Sequence, residues 1–167
     1  MNLNLFKKSA TAPDLCPVDN LPPPQAMDAA VLPALLLVEQ SAYSHPWTQN
    51  NFSDAMVSGY HMPVWLMQQE VCCYLVAMRG ADEVHLLNFT VAPAQQRRGL
   101  ARHMLQYLLD WSRAQGVHAI WLEVRVSNWR AIGIYQACGF VHDGVRPGYY
   151  PAHNGVREDA VVMSLSW

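Results

Sequence analysis

At 167 residues the chain has the length of one domain with a proper hydrophobic core, and 51% of its residues are apolar while only 14% are charged. A net charge of −2 speaks against a general nucleic-acid binder and suits, weakly, a cationic partner. The four cysteines, Cys16, Cys72, Cys73 and Cys138, form no CxxC, and the seven histidines form no HxxxH pair, so no metal site is expected. Cys72 and Cys73 adjoin in a strand-like run, so they are expected on opposite faces, as reduced thiols. No apolar run is long enough to span a bilayer, and after Lys7 and Lys8 the segment SATAPDLCPVDNLPPP is too polar and proline-broken for a signal peptide. The expected location is the cytoplasm, with no membrane contact.

Residues 1 to about 25 carry Pro13, Pro17, Pro22, Pro23 and Pro24 without periodicity and read as an extended, poorly ordered lead-in, with a short edge strand around Leu21 to Met27 as the alternative. Residues 26–167 read as a single domain. Leu32, Leu35, Leu36 and Glu39 have helical spacing, and Pro33 fits only a first turn. After the break at His45-Pro46-Trp47, Thr48 is placed to cap a short helix bearing Phe52, Ala55 and Met56. Met62 to Gln68, Val71 to Arg79 and Glu83 to Val91 then read as an antiparallel meander.

A long amphipathic helix follows from about Arg98 to Gln115, with Leu100, Met104, Leu105, Leu108 and Leu109 on one face and Gly116 at its end. Val117 to Val126 reads as a central strand, parallel to the one before it and expected to be buried on both faces. A helix from Asn128 to Cys138 stops at Gly139, and Phe140 to Tyr150 pairs with Arg157 to Trp167 around a PAHNG turn.

The turn Gln96-Arg97-Arg98-Gly99-Leu100-Ala101 lies where a strand ends and a helix begins, so unpaired backbone N–H groups and two arginines gather at one point, an anion site. It is neither GxGxxG nor a Gly-Lys-Ser/Thr phosphate loop. The pattern Gln-x-x-Gly-x-Ala resembles the acyl-CoA pyrophosphate loop of the GNAT superfamily of N-acetyltransferases. WLEVRVSN at 121–128, AIGIYQACGF at 131–140, and GYYP with REDAVVMSL at 148–165 resemble its ribosomal-protein-alanine N-acetyltransferase branch. The resemblance runs from about Val38 to Leu165. It implies an α/β fold with a mixed, mostly antiparallel central sheet, a parallel splayed strand pair and flanking helices, working as a monomer or weak dimer.

It also implies acetyl-CoA as cosubstrate and the N-terminal alanine of the eighteenth small-subunit ribosomal protein as acceptor, without direct nucleic-acid contact. The CoA phosphates are expected on Arg97, Arg98, Gly99, Leu100, Ala101 and Arg102. The pantetheine arm is expected along Phe89, Thr90 and Val91 like an added strand, with a backbone N–H there polarising the thioester carbonyl. Asn128 is implied to contact CoA, and Tyr135, seven residues on along the same helix stripe, to donate a proton to the leaving sulfur.

Glu123 interrupts an apolar strand, and a carboxylate there is costly unless paired or put to use. As a base it suits an α-ammonium of pKa about 8 better than a lysine near 10.4. The resemblance implies this role; on the residues alone, a structural pair with Arg125 on the same strand face is the alternative. Tyr135 and Trp47 likewise read as core or as site residues. Other protein N-termini, lysines or a small amine stay open as acceptors, as does a non-catalytic CoA-binding role. Cys138 has no neighbouring histidine in sequence, which disfavours a covalent enzyme intermediate.

Overall fold

In the computed structural model, which describes residues 21–167, the apolar runs become a seven-stranded sheet in the order β1-β2-β3-β4-β5-β7-β6. Most of the proline-rich lead-in, with Lys7, Lys8 and Cys16, lies outside the described residues. Its end supplies the edge strand β1 (Gln25–Ala26), paired to Pro63 and Val64. Helix α1 (Leu32–Ala42) carries Pro33 in its first turn. Helix α2 (Gln49–Val57) starts at a capping box in which the Thr48 hydroxyl accepts from the Asn51 N–H and the Asn51 side chain accepts from the Thr48 N–H.

Strands β2 (Pro63–Met67), β3 (Glu70–Arg79) and β4 (Glu83–Val91) form the antiparallel meander. Helix α3 (Leu100–Ala114) crosses to β5 (Ala119–Arg125), which runs parallel to β4. Helix α4 (Trp129–Ala137) leads to the antiparallel pair β6 (Val141–Pro151) and β7 (Arg157–Ser166). Gln115 is the C-cap of α3, and Gly116 after it has φ of 73°, a left-handed position that glycine adopts without strain.

One feature of the sheet creates the site. β4 and β5 are paired only from Glu83 with Ala119 to Leu86 with Leu122. At that point the β3–β4 register slips, Val76 facing Asn88 while Ala77 faces Leu86, so Leu87 is an extra residue in β4. Such a bulge bends a strand. β4 therefore turns away while β5 stays paired to β7 as far as Arg125, and a wedge opens between their ends.

Two sequence expectations are corrected by the packing. β5 is buried on one face only: Ile120, Leu122 and Val124 lie in the core beneath α3 and α4, whereas Trp121, Glu123 and Arg125 alternate with them and are half-covered as residues. The reason is that α1 and α2 pack over β2, β3 and part of β4, leaving that face of β5 open. Cys72 and Cys73 do not point to opposite faces. A register slip between Trp65 and Leu66 makes Cys72 an extra residue in β3, so both thiols enter the same core, with their Sγ atoms 3.9 Å apart and free.

Candidate active site

A cavity of about 780 Å³ lies in the wedge and reaches the start of α3. Its walls bring together Phe89, Thr90 and Val91 from β4, Arg97, Gly99, Leu100, Ala101 and Arg102 from the turn and α3, and Asn128 and Tyr135 from α4. The turn is shaped by backbone: Arg97 at φ 63° and Gly99 at φ 81° bracket Arg98, and left-handed residues alternating with ordinary ones turn successive N–H groups toward one concave side. No side chain caps α3 at Gly99, so its first N–H groups are left for a ligand. Arg98, expected among the phosphate contacts, is not on the cavity wall; its guanidinium donates to Gln95 Oε1 at 2.9 Å.

Asn128 caps α4, accepting from the Ala131 N–H at 3.2 Å, and its amide nitrogen remains to donate. Trp129 beside it is 73% exposed on the cavity rim.

Two phenols, those of Tyr43 and Tyr135, line the cavity, and a third, that of Tyr150, lies off its wall. Tyr135 is buried, its ring 5.9 Å from that of Phe89, and burial, with Tyr43 and Tyr150 adding to it, pushes its pKa well above the ordinary 10. Tyr43, at the end of α1, also lines the cavity and donates to the Phe89 carbonyl at 2.9 Å; burial pushes it up to about 12. Tyr150, from β6, donates to the Glu123 backbone carbonyl at 2.8 Å and is raised by burial first and by the nearby Glu123 second. All three are therefore protonated at neutral pH.

Glu123 is not on the cavity wall. Its side chain, 5% exposed, lies on the open face of β5, where His85 Nε2 donates to Oε2 at 2.6 Å. Arg146 Nη1 lies 2.9 Å from Oε1 as an ion pair out of hydrogen-bond alignment, so Oε1 accepts no hydrogen bond. The His85 ring is stacked on Trp121 at 3.5 Å between centroids. Arg125, the sequence-level candidate partner of Glu123, is engaged elsewhere, with Glu158 at 3.0 Å and the Tyr150 ring at 4.5 Å. Cys138 opens onto a separate cavity of about 230 Å³ between α3 and α4, and burial raises its thiol pKa.

Sequence reasoning missed three participants. His85 and Arg146 stand 38 and 23 positions from Glu123, so only the sheet brings them together. Tyr43 carried a fainter signal, a polar aromatic at the end of an amphipathic helix next to the HPW break. It belongs to a buried chain that begins at Glu39, whose carboxylate accepts from the Trp47 N–H at 2.8 Å, from the Tyr74 hydroxyl and from Asn88 Nδ2 at 3.2 Å. Asn88 Oδ1 accepts from the Thr90 hydroxyl at 2.8 Å, and Thr90 Oγ1 is 3.0 Å from the Tyr43 hydroxyl.

A splayed parallel strand pair, a helix start free to bind anions and a phenol-lined cavity between them are the parts of an enzyme that holds a long anionic acyl donor. The chain belongs to the acetyltransferase (GNAT) family, an acyltransferase family, which it matches over residues 32–140. Among curated proteins it is similar to the ribosomal protein bS18-alanine N-acetyltransferase of Escherichia coli K12, at 35% identity over 84% of this chain and 94% of that one. The enzyme of the same name from Salmonella typhimurium is 37% identical over 80% and 90%. The crystal structure of the Escherichia coli ribosomal-protein-S18-alanine N-acetyltransferase superposes with a TM-score of 0.79 and 34% identity, covering 86% of this chain and 92% of that one. Arabidopsis thaliana Naa50, in complex with the bisubstrate analogue CoA-Ac-MVNAL, shares the fold at a TM-score of 0.74 and 18% identity, over 86% and 97%.

Proposed function

We propose that this chain transfers the acetyl group of acetyl-CoA to the N-terminal α-amine of ribosomal protein bS18, at its alanine, in the cytoplasm. The observation that carries the reading is the wedge itself. One cavity joins the open start of α3 to the phenol of Tyr135, while Glu123 lies off its wall, on the face of β5 opposite Leu122 and Val124. The identity to enzymes named for bS18 supports the acceptor.

The residues fit the donor. The N–H groups of Gly99 to Arg102, with Arg97 and Arg102, suit a diphosphate. The diverging edge of β4 at Phe89 to Val91 suits the amides of a pantetheine arm, and Asn128 has an amide donor to spare. Glu123 takes one proton from the incoming ammonium; the freed amine attacks the thioester carbonyl, the C–N bond forms, the C–S bond breaks, and the second proton that the nitrogen sheds in becoming an amide balances the one that Tyr135 passes to the departing sulfur. Burial keeps the Tyr135 phenol protonated, so it meets the departing sulfur as a hydrogen-bond donor. Cys138 is not on the wall of this cavity, which favours direct transfer over a covalent enzyme intermediate.

Mass spectrometry tests the acceptor. A short peptide beginning with alanine followed by basic residues is incubated with protein and acetyl-CoA, beside a copy with a blocked N-terminus and a free lysine. Acetylation of the free N-terminus alone is the expected result. Modification of the blocked peptide would move the acceptor to lysine. Modification of neither, with acetyl-CoA still bound in calorimetry, would leave a small-amine acceptor or a CoA-binding protein without turnover.

A further inference from the structure

The open face of β5 holds a cation already. The Arg146 guanidinium lies 5.5 Å from the Trp121 ring centroid, 5.5 Å from that of Tyr149 and 2.9 Å from Glu123 Oε1. Two aromatic faces and a buried carboxylate oxygen that accepts no hydrogen bond make a cage for a positive charge. His85 occupies the other carboxylate oxygen, and Arg125 is held off by Glu158 and Tyr150, so Arg146 is the arginine that fills the cage.

We propose that this cage is the binding site of the acceptor's α-ammonium, and that Arg146 fills it as an internal counter-ion which the acceptor displaces. The inference rests on the reading that an amine acceptor approaches Glu123. Three features support displacement. The Arg146 side chain is 48% exposed, so it can leave without opening the core. It is the last residue paired in the ladder, facing Ala160, before the β6–β7 register breaks between Arg146 and Tyr150. Exchange of one cation for another keeps the buried carboxylate compensated throughout, which avoids the large penalty of leaving it bare. A primary ammonium, with three donors set tetrahedrally, can also give Oε1 the hydrogen bond that the misaligned guanidinium does not. The cage thus favours acceptors with a free amine over acetylated ones, and a product without charge gives the site back to Arg146.

Calorimetry of the full chain with CoA bound, where no transfer occurs, reads this directly. Arg146→Ala is expected to bind the free-amine alanine peptide roughly 3- to 10-fold tighter than wild type, the scale of one exposed ion pair and its ring contacts. The N-acetylated peptide is expected to bind both proteins alike. In Arg146→Ala, millimolar guanidinium should compete with the free-amine peptide, and in wild type it should not. Unchanged or weaker binding of the free-amine peptide by both Arg146→Ala and Arg146→Gln would overturn the proposal. Because binding is measured without turnover, this outcome is separate from the role of Glu123 as base: loss of turnover in Glu123→Gln with no gain in Arg146→Ala leaves the base and removes the cage. Full turnover in Glu123→Gln with the gain present does the reverse.

Discussion

Two regions of this chain are built around a buried carboxylate, and they are built in opposite ways. Beneath α1, Glu39 is 1% exposed and meets only donors: the Trp47 N–H, the Tyr74 hydroxyl and the Asn88 amide. On β5, Glu123 is held at one oxygen by His85 and faced at the other by a half-exposed, misaligned arginine. A carboxylate with every lone pair committed to fixed partners is a structural tie, here joining α1, the HPW loop, β3 and β4. A carboxylate with one oxygen in an exchangeable ion pair is available for chemistry.

The sharpest way to break this comparison is to neutralise each carboxylate in turn. Glu123→Gln is expected to lower kcat by about 10²- to 10⁴-fold, the usual worth of a positioned acid or base, with acetyl-CoA affinity and melting temperature nearly unchanged. A variant with wild-type turnover would remove Glu123 from the chemistry. Tyr135→Phe should lower kcat by about 10²-fold, again with the donor bound as before.

Glu39→Gln should do the converse. It sets an amide NH₂ among the Trp47 N–H and the Asn88 amide NH₂, which can only donate, with the Tyr74 hydroxyl alone able to turn and accept, so a loss of about 2–4 kcal/mol is expected from leaving buried donors unsatisfied. In a chain of this size that is a fall of about 5–12 °C in Tm, checked by calorimetry, with kcat of the folded protein changed far less than in Glu123→Gln. Equal stability would mean that the network under α1 is not the tie described.

How far these regions could be read from the sequence follows from the range of their contacts. Local signals were legible: the Thr48 cap, the stripe of α3, the meander, Gly99 at a strand-to-helix turn, and Asn128 and Tyr135 on one stripe of one helix. The family resemblance added the parallel strand pair and marked Glu123. What was hidden depends on register. One extra residue at Leu87 opens the wedge, and one at Cys72 puts two adjacent thiols on the same side, yet neither is marked by a glycine or proline. The two-sided burial expected of β5 failed because α1 and α2 stop short of it. Glu39 was visible as a helix position, but its partners lie 8 to 49 residues away.

A smaller effect tests the donor side. Gly99 sits at φ 81°, where a Cβ is strained, so Gly99→Ala should cost about 1 kcal/mol of stability. Its larger consequence is local. The N–H groups at the start of α3 would be re-aimed, and KM for acetyl-CoA should rise while KM for the acceptor peptide stays put. Trp129, exposed on the cavity rim, provides the readout: quenching of its fluorescence by CoA should need more ligand in Gly99→Ala, and the quench should disappear in Trp129→Phe.

His61 extends the comparison to a half-buried ionisable group whose Nε2 has no hydrogen-bond partner. Its ring is stacked at 3.9 Å on Trp111 and its Nε2 is buried without a hydrogen bond. Burial lowers its pKa from the ordinary 6.5 to about 4. The folded state therefore prefers neutral His61. Above pH 6.5 both states are neutral and this preference is fully present. As pH falls from 6.5 toward 4 the unfolded chain takes up the proton first, so stability drops; below about 4 the folded state is protonated too and the slope ends. His61→Phe keeps the ring stack, and the backbone pairing of residue 61 with Ala77 does not involve the side chain. Urea unfolding at pH 7.5 and pH 5 should show the variant losing less stability than wild type between the two, by about 1 kcal/mol once partial exposure is allowed for. Parallel losses would mean that His61 takes its proton without leaving the stack. A half-buried ionisable side chain then needs none of the committed partners that Glu39 has.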